Sequence, residues 1–342
     1  MSAFIPFTEV TTLEARLPHQ EVPDKKGATE LWEIAVVILF IIVITGSVMG
    51  NTLIITVFFK FKNLQNATNC LICNQSMADL LTALDFCFYV SVTYFQIGEF
   101  FIISNKYACL LYLWAVCVSL LCSMVNIMAI SIERVIAVAL PYVNINPHKK
   151  KVVLLWITIT WLCTLMFTSL PILGVNQWKY GIPCNVYLVY DKWYLLKCLV
   201  YTVFIVLVMT ALLNVTLGLC ALHKHIRRHK VAPSSVSAQV TSTSMSKSRS
   251  NQAATGKANN RRITIMLLVI VGAFYTCMLP YLCVTCYGLL NPLQYRAKSN
   301  MVIFHEFTKV FMAANGSLNP FIYANRNTQF KKAFKQMFGR QV

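Results

Sequence analysis

The sequence predicts an all-α membrane protein, a bundle of seven membrane-spanning helices followed by a short amphipathic helix on the cytoplasmic surface. Three observations carry this expectation. Of the 342 residues, 57% are hydrophobic and only 12% are charged, whereas soluble domains are about half apolar and a quarter charged. The apolar residues gather into seven segments, at 33–59, 69–96, 106–138, 152–173, 193–222, 262–290 and 301–324, each near the roughly 20 residues that cross a bilayer. Lys and Arg then crowd the stretches joining segments one to two, three to four and five to six, and the tail after segment seven, where Glu133 is the single acid. That alternation places these stretches inside the cell and the N-terminus outside.

Residues 1–31 form a polar extracellular tail containing Pro6, Pro18 and Pro23, without the basic start and apolar core of a signal peptide. The first span therefore serves as the insertion signal. Residues 32–325 hold the seven spans, which must be helices because the bilayer core offers no other partner for backbone N–H and C=O groups. Asn291-Pro292 marks the turn between spans six and seven. The cytoplasmic stretch 225–258, with SSVSAQVTSTSMSKSRS, is rich in Ser, Thr, Ala and Lys and is expected to be disordered. Residues 326–342 close the chain. There Phe330, Phe334, Met337 and Phe338 recur at helical spacing opposite Lys331, Lys332 and Lys335, the pattern of a basic amphipathic helix lying on anionic lipid.

Composition also excludes function classes. The net charge of +18 lies between apolar runs rather than along an aromatic-studded groove, which argues against nucleic acid. Most of the thirteen cysteines, among them Cys70, Cys73, Cys117, Cys122 and Cys277, stand inside apolar runs and behave as small hydrophobes rather than metal ligands. No Ser-His-Asp set, P-loop or zinc motif occurs, so an enzyme is not expected. A transporter or channel would show inverted repeats or charges along several spans, and Asp79 and Asp85 are nearly the only acids in mid-span.

Six of the seven spans carry a short motif. The first has Gly50-Asn51, the second NQSMADLL with Asp79, and the third Ser123 and then Glu133-Arg134. The fourth has Trp161 and Pro171, and the sixth FYTCMLPY with Phe274, Cys277, Pro280 and Tyr281. The seventh has NGSLNPFIY, with Asn315, Asn319, Pro320 and Tyr323, and Phe330 follows seven residues later. Over 33–338 this set resembles the rhodopsin-like (class A) G protein-coupled receptor family, whose second and sixth spans carry NLAxADLL and FxxCWxPY.

The resemblance implies a plasma-membrane receptor that passes an extracellular ligand signal to a heterotrimeric G protein by opening the cytoplasmic ends of its helices. Glu133, Arg134, Phe274, Met278, Pro280, Asn319, Pro320 and Tyr323 fall at the family's coupling and switch positions. Pro280 and Pro320 each remove a helical hydrogen bond and produce kinks, which the resemblance implies serve as hinges for the cytoplasmic ends of spans six and seven. Asp79 needs a partner in the membrane, and the resemblance sets Asn51, Ser123, Asn315 and Asn319 around it as a sodium pocket. The other reading is a protonated Asp79 bonded to those amides. Cys109 and Cys184 match the family's disulfide. Arrestin and receptor kinases follow as further partners from the same resemblance.

By position the ligand pocket draws on Asp85, Tyr89, Val116, Cys117, Leu120, Tyr281, Thr285, His305, Glu306 and Lys309. Glu306 and Lys309, a turn apart, pair with each other or meet the ligand. Val116 stands where amine receptors have aspartate, and Ala313 where retinal proteins have lysine, so neither a typical monoamine nor retinal is expected. Val206 replaces the fifth-span proline, Asn214 its tyrosine and Met278 the sixth-span tryptophan, and no acid stands near the base of span six at NNRR. These departures leave Arg134 without its usual interhelical partner and predict raised basal signalling. They also leave open a receptor-like protein that signals without ligand or not at all.

Overall fold

The computed structural model describes residues 30–139, 149–230, 244–291 and 299–339. Seven long helices make the bundle: α1 (Leu31–Lys60), α2 (Ala67–Tyr94), α3 (Lys106–Ala139), α4 (Lys149–Thr168), α5 (Tyr201–Lys230), α6 (Ser244–Leu290) and α7 (Ser299–Arg326), and α8 (Thr328–Met337) follows. Among the described residues, six stretches pass as membrane spans by length and hydropathy. α7 matches them in length, but His305, Glu306, Lys309, Asn315 and Asn319 lower its hydropathy. The expected disorder of 225–258 needs correcting, because 225–230 and 244–258 are helical extensions of α5 and α6. Once a span has nucleated a helix, Ala, Lys, Gln and Asn extend it at little cost. The middle of that stretch, 231–243, lies outside the described residues.

α3 sits at the centre, with 56% of its apolar stretch buried against 11% for α4, which faces lipid along most of its length. α1 is apolar all round, as a lipid-facing helix should be, and turns Val36, Phe40, Asn51 and Ile54 inward. Its contact with α7 explains the Gly50-Asn51 pair. Pro320 has no N–H, so the carbonyl of Gly316, four residues earlier, loses its helical partner. Asn51 Nδ2 fills that gap at 3.0 Å. A Cβ on Gly50 would stand 2.8 Å from the Pro320 ring, so only glycine lets the two helices approach this closely.

The helix ends follow ordinary capping chemistry. Asn66 caps α2 by accepting from Asn69 N at 3.0 Å, and Asn327 caps α8 by accepting from Gln329 N and Phe330 N. α8 buries Phe330 and Ala333 and exposes Lys331, Lys332 and Lys335, the two faces expected of it. After α2 the chain turns into the helix Gln96–Ser104. Beyond α4, a loop with one antiparallel bridge, Asn176 to Tyr190, is tied to the start of α3 by the Cys109–Cys184 disulfide, Cα–Cα 5.7 Å. A π-helical turn, Tyr194–Val200, leads into α5, and Val206 is buried where the resemblance has proline. The bundle thus has a disulfide end and a basic end.

Candidate functional site

At the basic end, Glu133 and Arg134 occupy the last turns of α3, and both are buried. Arg134 pairs with the Glu133 carboxylate and donates to Thr68 Oγ1, in the first turn of α2, at 2.5 Å. Glu133 also takes Lys149 Nζ at 2.6 Å and the Thr68 hydroxyl at 3.3 Å. A buried charge needs this much compensation. Arg134 has no acid on α6 as a partner, and α2 supplies an interhelical contact of another kind through Thr68. Thr68 and Lys149 carried no motif, and Thr68 signals itself only as a hydroxyl at a helix start.

Asn214, in the tyrosine's place on α5, donates to Ser131 Oγ on α3 at 2.8 Å. From α6, Tyr275 donates to the Leu207 carbonyl of α5 at 2.6 Å. Among the described residues, α6 packs mainly along α7, which brings Pro280 and Pro320 into neighbouring helices. Tyr323 is fully buried, and its hydroxyl has no hydrogen-bond partner among the described residues.

Mid-bundle, Asp79 is buried and accepts from Asn319 Nδ2 at 2.7 Å, Gln75 Nε2 at 2.9 Å and Ser123 Oγ at 3.4 Å. A cavity of about 20 Å³ beside it is lined by Asp79, Leu120, Ser123, Phe274, Met278 and Asn315, among others. Oxygens suited to a hard cation are therefore present, and the Oδ1 atoms of Asn51, Asn315 and Asn319 are buried without partners among the described residues. Asn51 is not among the residues lining the cavity, since its amide serves Ser47 and the Gly316 carbonyl. Gln75 was not singled out in the sequence, although a glutamine four residues before an aspartate on one helix is a recognisable pair.

At the disulfide end the ligand-pocket candidates form two groups. Glu306 accepts from Lys309 at 2.6 Å, Tyr89 at 2.6 Å and Tyr94 at 3.2 Å, and Lys309 also donates to Tyr89 at 2.9 Å. Of the two readings left open for Glu306 and Lys309, the pairing is present. In the second group His305 lies against the Tyr281 ring at 5.4 Å and reaches Thr285 at 3.3 Å. Tyr187, from the disulfide-bonded loop, lies near Thr285 and Tyr281. Burial pushes the phenols of Tyr187 and Tyr190 above their usual range. Asp85 takes the Ser119 hydroxyl at 2.6 Å. Cys117 meets Tyr190 at 3.9 Å, and Val116 is half-buried. Tyr94 and Tyr187 are additions that the sequence motifs did not mark.

The model of the 7 transmembrane receptor (rhodopsin family) matches residues 50–323. Medium-wave-sensitive opsin 1 of Cavia porcellus is 25% identical over 306 residues, covering 88% of this chain and 77% of the opsin. The protein of the same name from Sciurus carolinensis is 26% identical over 312 residues, with the same coverage. An octopamine receptor of Heliothis virescens is 30% identical over 150 residues, covering 43% of this chain and 30% of that receptor.

Proposed function

The chain belongs to the rhodopsin family of seven-transmembrane receptors, a family of receptors rather than enzymes, and on that premise we propose that it carries an extracellular signal to a heterotrimeric G protein. The observation that carries the proposal is the buried Arg134 at the basic end, held by Glu133 and by Thr68 of a neighbouring helix. Such a contact can be exchanged for a contact with a partner protein when the helix ends separate, and a two-state equilibrium shifts to whichever state binds better. The basic end faces the cytoplasm, as the distribution of Lys and Arg supports. The disulfide faces the oxidising outside of the plasma membrane.

The ligand enters at the disulfide end, over Tyr89, Tyr281, Thr285, His305, Glu306 and Lys309. Although relatives are named opsins and an octopamine receptor, retinal is not proposed, because Ala313 offers no amine to bind it. An amine such as octopamine is disfavoured by Val116. A second reading, signalling without ligand, is favoured by one observation: Glu306, Lys309, Tyr89 and Tyr94 at this end already satisfy one another.

G-protein dissociation in cells expressing the protein, with and without ligand libraries, tests the reading. Arg134→Ala should abolish the response at unchanged surface expression. A response that survives this change, or no dissociation under any condition from a well-expressed protein, refutes the proposal.

A further inference from the structure

Asp79 has a neighbour that the family pattern lacks, since Gln75 stands where NLAxADLL has leucine. Four residues apart, the two side chains share one face of α2, and Gln75 is 0% exposed and Asp79 2%. Gln75 Nε2 donates to Asp79 Oδ1 at 2.9 Å and to Ser123 Oγ at 2.6 Å, which uses both amide hydrogens.

The orientation of this amide is set from further away. Trp161 Nε1 donates to Asn74 Oδ1 at 2.8 Å, and Asn74 Nδ2 to Asn126 Oδ1 at 2.8 Å. Asn126 Nδ2 donates in turn to Gln75 Oε1 at 2.9 Å. Every donor in this chain points toward Asp79, from α4 through α2 and α3 and back to α2. Aligned hydrogen bonds polarise one another and deliver positive potential to the carboxylate. Asn319 adds a donor to Oδ2 at 2.7 Å.

We propose that the Gln75 carboxamide takes the place of a bound sodium ion at Asp79, so that this pocket is held together without a cation, and that removing Gln75 opens it to one. A hard cation needs oxygen ligands. Here the Ser123 oxygen faces a Gln75 N–H, and both amide hydrogens stand where the ion would approach. Turning the Gln75 oxygen toward the ion would set its N–H₂ against the Asn126 donor. Asn126 cannot follow, since it also donates to the Leu71 carbonyl at 3.1 Å. The cavity of about 20 Å³ next to Asn315 has room for one water, which needs roughly 10–15 Å³ by the same measure. The inference stands apart from whether the chain signals.

The test is the thermal unfolding midpoint of the purified protein in sodium chloride and in choline chloride at equal ionic strength. The wild-type midpoint is expected to be the same in both salts. Gln75→Leu, which restores the family pattern, should be raised by sodium alone, by about 2–4 °C, and Gln75→Leu/Asp79→Asn should lose that rise. Gln75→Met, which keeps the length of the side chain, serves as the second variant. A saturable, sodium-specific rise in the wild type overturns the proposal whatever the variants do. Folded Gln75→Leu and Gln75→Met proteins that ignore sodium overturn it as well, because the pocket would then be closed to cations for a reason other than Gln75.

Discussion

Asn51→Leu isolates the contact between α1 and α7. The substitution keeps the side chain's shape and removes the amide that fills the gap left by Pro320. The Gly316 carbonyl, 3.0 Å from Asn51 Nδ2, is then orphaned in the bundle interior. A buried carbonyl without a partner costs about 1–3 kcal/mol, while hydrogen bonds between membrane helices average about 0.6 and reach about 1.7 kcal/mol. Where the two ranges meet, the expected loss is about 1–2 kcal/mol, or about 2–8 °C in the unfolding midpoint. A thiol-reactive dye reads this as a rise above the signal of the exposed Cys87, Cys163, Cys283 and Cys286, because Cys70, Cys73, Cys117, Cys122 and Cys277 are buried until the protein unfolds. Pro320→Ala supplies the missing control. Its new N–H reaches the Gly316 carbonyl along the helix, so Asn51→Leu should cost about 1 kcal/mol less in that background. An equal loss in both backgrounds would show that Asn51 does not act through the proline's free carbonyl.

Three further outcomes follow from the same reasoning. Thr68→Val removes the α2 contact of Arg134, and a loss of about 1 kcal/mol should raise basal G-protein signalling roughly fivefold; unchanged basal activity at equal surface expression counts against Thr68 as a restraint. Lys309→Met leaves the Glu306 carboxylate with only Tyr89 and Tyr94 as partners and should cost about 3 kcal/mol in thermal unfolding, most of it restored by adding Glu306→Gln. Cys109→Ser breaks the link to Cys184 and should cost about 2–5 kcal/mol, read as reduced surface expression and a lower unfolding midpoint.

Much of the architecture was legible because a bilayer restricts what an apolar segment can do. A stretch such as LWEIAVVILFIIVITGSVMGNTLIITVFFK has no lipid-compatible form except a helix, and α1 extends within a few residues of the expected 33–59. The amphipathic α8 was equally legible, since Phe330 and the lysines around it separate at helical spacing. The described parts of 225–258 are helical despite their polar composition, because the helices that feed into that stretch continue into it. Thr68, Lys149 and Gln75 were missed for a different reason. Thr68 and Lys149 are ordinary polar residues whose roles appear only when another helix places Arg134 or Glu133 beside them, and the Gln75 amide is oriented onto Asp79 by Asn126 of α3.

By itself the sequence determined the number and course of the helices, the segregation of basic residues to one end, and the family. These follow from local composition, motif and span length, which a linear chain carries. The tertiary structure decided the pairing of the buried polar groups. Asn51 serves the gap behind Pro320, Thr68 stands in for an absent acid, and Asn126 and Ser123 of α3 fix the Gln75 amide. A buried polar group must find its partner in space, and the nearest donor or acceptor often lies on a helix far along the chain.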